Sequence, residues 1–124
     1  MASIVEIVSY FNNAKQQAVV WHHQTTSFSE HKALEEFYSE IGDLLDELSE
    51  SYAGIYGRLK GYDVEDLMDW GGLNNTIEYY KSCYQWLVEE RKTAPQDSWI
   101  QNQLDEIAQL LGQTLYRLSL RTNG

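Results

Sequence analysis

His31, Glu35, Asp46 and Glu50 are the residues whose types and spacing could do chemistry in this chain. They lie in HKALEEFYSEIGDLLDELSE, residues 31–50, where seven acids surround a single lysine. At about 100° per residue a helix places them at roughly 0°, 40°, 60° and 100°, one stripe along the border of an apolar face. His31 with Glu35, and Asp46 with Glu50, are pairs one turn apart, each able to approach one ion. About 22 Å of helix separates the two pairs, too far for one ion to join them. A two-fold axis removes that obstacle. Where two copies of a helix cross antiparallel, facing residue numbers share a constant sum, and His31 with Glu50 and Glu35 with Asp46 both sum to 81. An axis near Glu40 and Ile41 brings His31 and Glu35 of one copy to Asp46 and Glu50 of the other, giving two identical sites, as an isologous dimer must. Imidazole with several carboxylates suits iron, and also manganese or zinc. His22 continues the apolar series Phe11, Ala14, Ala18 and points inward near His31; His23 is the competing candidate, rotated by one position. The competing reading of the whole stripe is a solvated acidic face with no ligand role.

The elements that must position these residues are helical. Ser3 with Glu6, and Ser27 with Glu30, have the spacing of capping boxes. The first opens a helix with Ile4, Ile7, Val8, Phe11, Ala14 and Ala18 on one face, to about Trp21. The second opens a long helix to about Arg58, whose apolar face includes Leu34, Phe37, Ile41, Leu45 and Leu48. Asp63-Val-Glu-Asp66 predicts a short helix from Val64 to about Trp70, ended by Gly71-Gly72, and the acids at 63–69 read as cap and surface. Asn74 or Asn75 caps a third long helix, and Asp97 or Ser98 starts a fourth with Ile100, Leu104, Ile107, Leu111, Leu115 and Leu118 on one face. Four amphipathic helices with short connections imply an all-α antiparallel four-helix bundle, with a short extra helix between helices 2 and 3.

With 124 residues and 43% hydrophobic content, the chain reads as one domain, 1–124, with a proper core. Its net charge of −10 opposes phosphate binding, so DNA binding is not expected. Nothing approaches a membrane span, and the start MASIVEIVSYFNNAK has no secretory character, which favours a cytoplasmic setting. The single cysteine, Cys83, reads as a buried small apolar residue. No phosphate loop, HExxH, CxxC or GxSxG occurs, and no Glu-x-x-His, so an ordinary di-iron centre within one chain is not expected.

The sequence resembles the mini-ferritins, the DNA-protection-during-starvation (Dps-like) family of the ferritin-like superfamily. In that family a histidine on the second helix is followed by acids four, fifteen and nineteen residues later, as His31 is by Glu35, Asp46 and Glu50. Trp21-His22-His23 stands where the family's first helix ends in histidine and tryptophan, Phe28 matches an aromatic of the turn, and Tyr116 matches one on the last helix. The likeness spans essentially the whole chain. Here Glu35 replaces the usual aspartate, the first turn is about three residues shorter, and the basic tails that let some relatives bind DNA are missing. The resemblance implies a ferritin-like bundle, two-fold dimers and a dodecameric homo-oligomeric shell. It also implies ferroxidase activity, in which Fe(II) is bound between subunits, oxidised by hydrogen peroxide or oxygen and stored as ferric oxide. The ligands it implies are His31, Glu35 and His22 or His23 from one chain, with Asp46 and Glu50 from the other. The rival expectation is a metal-free helical assembly or interaction protein.

Overall fold

The computed structural model describes residues 3–120. Four helices make up the fold: α1 (Ile4–Gln24), α2 (Phe28–Tyr56), α3 (Leu73–Glu90) and α4 (Ser98–Ser119). No strand occurs among the described residues, and no helix is long and apolar enough to cross a membrane. The apolar stripes meet in one core in which Phe11, Trp21, Phe37, Ile41, Tyr80, Leu104 and Leu111 are fully buried. Cys83 belongs to that core, and burial pushes its thiol up to about 11, which keeps it protonated at neutral pH.

Three contacts fix the helix directions. Thr76, in the first turn of α3, donates to Glu30, in the first turn of α2, so those two helices start at the same end. Tyr56, the last residue of α2, donates to Asp97 just before α4, and Arg91 just after α3 donates to Gln101 and Asp105 of α4. Thus α2 and α3 run together, antiparallel to α1 and α4. A chain with that order must return the length of the molecule between α2 and α3, and residues 57–72 do so.

That return corrects the expected helix at Val64–Trp70: residues 57–72 are not helical. They form an extended strap laid along α1. Ser9 Oγ accepts from the Asp63 N–H at 3.0 Å, and Asn13 accepts from the Glu65 N–H at 3.2 Å while donating to the Asp63 carbonyl at 3.3 Å. Gln17 accepts from the Met68 N–H at 2.8 Å and donates to the Met68 carbonyl at 2.7 Å, which also accepts from Trp21 Nε1 at 2.9 Å. Gln24 accepts from the Trp70 N–H at 2.7 Å and donates to Asp69 Oδ1 at 3.0 Å. Distance explains the choice. From Ser9 to Gln24 α1 rises about 22 Å, and the seven steps from Asp63 to Trp70 span about 23 Å if extended. The same seven steps in a helix rise only about 10 Å. A short helix would also carry the cost of nucleation, whereas α1 offers ready-made donors and acceptors. Gly57 and Gly72, with φ of 101° and 100°, turn the chain into and out of the strap in a region that other residues rarely adopt.

The strap is locked at its upper end by Glu30. Ser27 Oγ accepts from the Glu30 N–H at 3.3 Å, so one arm of the expected capping box forms. The other arm does not, because Thr25 Oγ1 accepts from the Ser27 N–H in its place and donates to Glu30 Oε1 at 3.0 Å. The freed carboxylate turns inward, only 1% exposed, where Oε2 accepts from Trp70 Nε1 at 2.8 Å and Thr76 Oγ1 at 2.9 Å. One side chain thereby ties the first turn, the strap and the start of α3. The other helix ends differ slightly from expectation. Gly72, not an asparagine, precedes α3, α2 stops at Tyr56, and α1 continues to Gln24.

Two outcomes follow from these bonds. Gln17→Ala should cost about 1–3 kcal/mol in urea unfolding, since two strap bonds go at once, and amide exchange should quicken at Met68 but not in α4. Glu30→Ala removes the acceptor of Thr25 Oγ1 and Trp70 Nε1 and leaves Thr76 Oγ1 only the Gly72 carbonyl, so it should cost about 3 kcal/mol, with lost protection at Trp70 and Thr76 together.

Candidate metal centre at the first turn

His22 sits in the last turn of α1 and His31 in the first turns of α2, and the short link Thr25–Ser27 folds one onto the other. Their rings stack with centroids 3.6 Å apart and planes 17° from parallel. Each Nδ1 lies 2.8 Å from the other residue's carbonyl oxygen. A carbonyl only accepts, so both Nδ1 atoms carry the proton and donate. In the neutral imidazole each Nε2 then holds the lone pair, the tautomer a metal-ligating histidine adopts when its other nitrogen is fixed by a carbonyl.

The reason for this arrangement is local. The last carbonyls of α1 have no partner inside the helix. The Thr25 N–H donates to the Trp21 carbonyl, and the His31 ring donates to the next one, that of His22. Phe28 extends the stack beyond His31 at 6.1 Å, and the Tyr38 ring meets His22 edge-on at 5.4 Å. His22 is buried, whereas His23 is exposed and meets only the edge of the His22 ring at 5.1 Å. Of the two candidate histidines, the fold brings His22 to His31 and turns His23 to solvent.

Glu35 is on the same side, and the Lys32 ammonium, which donates to it at 2.8 Å, lowers its carboxyl most, with a smaller contribution from the two imidazoles in their charged form. A cation arriving beside His31 must compete with Lys32 for that carboxylate. Asp46 and Glu50 are exposed on α2, three turns and more further along. Among the described residues of one chain, no three His, Cys, Asp or Glu stand together as a metal-holding group. The stack adds its own limit. An Nε2 lone pair lies in its ring plane, so two nearly parallel rings cannot aim at one ion until they splay apart. As folded, the turn presents two adjacent imidazoles with a carboxylate on the same side, and it holds the rings by bonds that do not use Nε2. Tyr38 was not singled out from its chemistry, although its place two turns after His31 puts it on the same helix face.

The two histidines should be energetically coupled. His22→Ala and His31→Ala should each cost about 1–3 kcal/mol in urea unfolding. The double variant should fall short of their sum by about 1 kcal/mol, because either change already breaks the clasp. Strict additivity would mean that the stack contributes nothing.

The fold and this geometry can be set beside known proteins. A family model described as "Family of unknown function (DUF5856)" matches residues 22–118, from His22 through all the candidate ligands and the strap to the last turns of α4. A similar protein is the "Uncharacterized 14.6 kDa protein in mobD-ri intergenic region" of Enterobacteria phage T4. It is 30% identical over 112 residues, which cover 90% of this chain and 79% of that protein. No solved structure matches. The family model takes in most of the chain, which therefore belongs to the family of unknown function DUF5856.

Proposed function

We propose that this chain is a ferritin-like, Dps-like iron protein whose site is completed between two copies. His22, His31 and Glu35 of one copy and Asp46 and Glu50 of another would bind Fe(II) as substrate and support its oxidation by peroxide or oxygen. The observation that carries this reading is the His22–His31 pair, in which both Nδ1 atoms are engaged by carbonyls and neither Nε2 is used by the fold's own hydrogen bonds. Two features add support. The helix order, with one long crossover joining two parallel helices, is that of ferritin-like four-helix bundles. Asp46 and Glu50 are exposed on α2, where the stripe that carries His31 and Glu35 continues. Exposed carboxylates outnumbering imidazoles would favour the ferric product by neutralising its added charge. In this reading α2 packs antiparallel against a second α2, the dimers build a closed shell such as a dodecamer, and the setting is cytoplasmic. Zinc or manganese would meet the same donors.

A second reading has its own observation. The clasp satisfies a helix-end carbonyl and buries His22, and Lys32 occupies Glu35, so all three residues have structural work without any metal. The family would then use the fold as a metal-free helical assembly or interaction protein.

Glu50→Ala separates the two readings, because Glu50 is exposed and its loss should change stability by less than about 0.5 kcal/mol. Solution mass and the Fe(II) oxidation rate would be measured together on wild type and variant. The iron reading expects an oligomer at micromolar concentration and a fall in rate of tenfold or more in the variant. A monomer, or an unchanged rate, would sink it.

A further inference from the structure

We propose that the strap is a preformed docking surface for a basic segment of a second protein that also carries apolar side chains. Its backbone is held by Ser9, Asn13, Gln17 and Gln24, so the inward side is spoken for and the remaining side chains face solvent. Tyr62, Val64, Leu67 and Met68 are 51%, 86%, 47% and 50% exposed. Those four, within seven residues, stand among only ten large hydrophobics exposed in the described residues. No helix periodicity or core requirement explains them. Exposed apolar side chains concentrated on a fixed backbone mark an interaction surface, and the fixed backbone lowers the ordering cost of binding.

Charge selects the occupant. Asp63, Glu65, Asp66 and Asp69 are interleaved with these apolar residues, and although Arg58 and Lys60 open the strap, residues 61–72 contain no lysine or arginine. Two copies of this strap would bring like charges face to face, and nucleic acid and anionic lipid are repelled by it as well. A cationic protein segment is attracted, and its apolar side chains would cover Val64, Leu67 and Met68. The exposed apolar residues lie along α1 between Ser9 and Trp21, and the strap reaches the histidine turn only through Asp69 and Trp70 at its end. The docking proposal therefore stands whether or not the chain handles iron.

The test uses the full chain and three fluorescent 16-residue helical peptides: Lys with Leu, Lys with Ser at the same charge, and Glu with Leu. Anisotropy titrations at 0.15 M salt should give saturable one-to-one binding of the Lys/Leu peptide. The Lys/Ser peptide should bind at least tenfold more weakly, and the Glu/Leu peptide should not bind. Val64→Ser with Leu67→Ser should weaken the Lys/Leu peptide at least tenfold, and Glu65→Gln with Asp66→Asn should do likewise. Asp43→Asn with Glu47→Gln, acids on α2 away from the strap, should leave it within twofold. Met68 amide protection reports that the strap variants keep the strap in place. Equal affinity of the two lysine peptides, or no loss in either strap variant, overturns the proposal. So does an equal loss in the α2 control, because binding would then follow bulk charge.

Discussion

The constraint on which the rest depends is the parallel run of α2 and α3. Two parallel helices cannot be joined by a tight turn, so the chain must travel the full length of the molecule between them. The return carries backbone N–H and C=O groups past a helix that has none to spare, and each buried group needs a partner. Here the partners are side chains of α1. An amide side chain has a donor and an acceptor side by side, so Gln17 can hold both the N–H and the carbonyl of Met68, as a neighbouring strand would. The strap is thus an extended segment paired to a helix through a column of side chains. Its fixed path brings Trp70 to the buried carboxylate of Glu30.

Glu30 shows why this arrangement holds together as a unit. A carboxylate that is 1% exposed, with no lysine or arginine bonded to it, needs several donors in place at once. Those donors come from Thr25, Trp70 and Thr76, which lie in three different segments. Two of the three contacts, those of Trp70 and Thr76, are remote from α2 and form only once the strap and α3 have docked, whereas Thr25 is five residues away and at hand from the start. The turn that presents His22 and His31 is tied through Thr25 to the same carboxylate. The geometry of the candidate centre therefore depends on a network whose other members are some forty residues away in sequence.

The four long helices were legible because apolar residues recur at helical spacing and because Ser3 and Ser27 announce their caps; both serines do accept from the residue three positions on. The inward course of His22 was legible for the same reason, by continuing the series from Phe11 through Ala18. The strap was not. Asp63-Val-Glu-Asp66 has a plausible local cap signal, and only the length of α1 to be crossed rules the helix out. A sign of the true arrangement was present elsewhere: Ser9, Asn13 and Gln17 recur every four residues, with Gln24 two turns on, as an uncharged polar stripe on a helix otherwise read for its apolar face. Serine and amides in that column are poor solubilising residues beside lysine and glutamate, and they make sense when they replace a missing strand. Glu30 was hidden by its own cap role, since a capping box gives the carboxylate a local partner that Thr25 takes over. The proposed pairing of His31 with Glu50 and of Glu35 with Asp46 would need a second copy, so no property of one chain's fold can display it.

The clasp of His22 and His31 sits between two demands that pull in different directions. As a structural element it works best closed, with rings stacked and each Nδ1 on the opposite carbonyl. As a pair of ligands for one ion it must open far enough for the ring planes to converge, while keeping the Nδ1 bonds that set the tautomer. Rotation about the Nδ1–carbonyl contacts can do this without breaking them, because a carbonyl oxygen accepts over a broad range of directions. What opposes the rotation is the packing of Phe28 on one side and Tyr38 on the other, and the hold of Lys32 on Glu35. Phe28 is 69% exposed and Lys32 is on the surface, so two of those three restraints face outward. A second copy packed on α2 would meet both residues and could shift them. In an isolated chain the balance favours the closed clasp. In the proposed iron reading, a ligand-competent centre would need the neighbour twice over, to supply Asp46 and Glu50 and to release the residues that keep the imidazoles stacked.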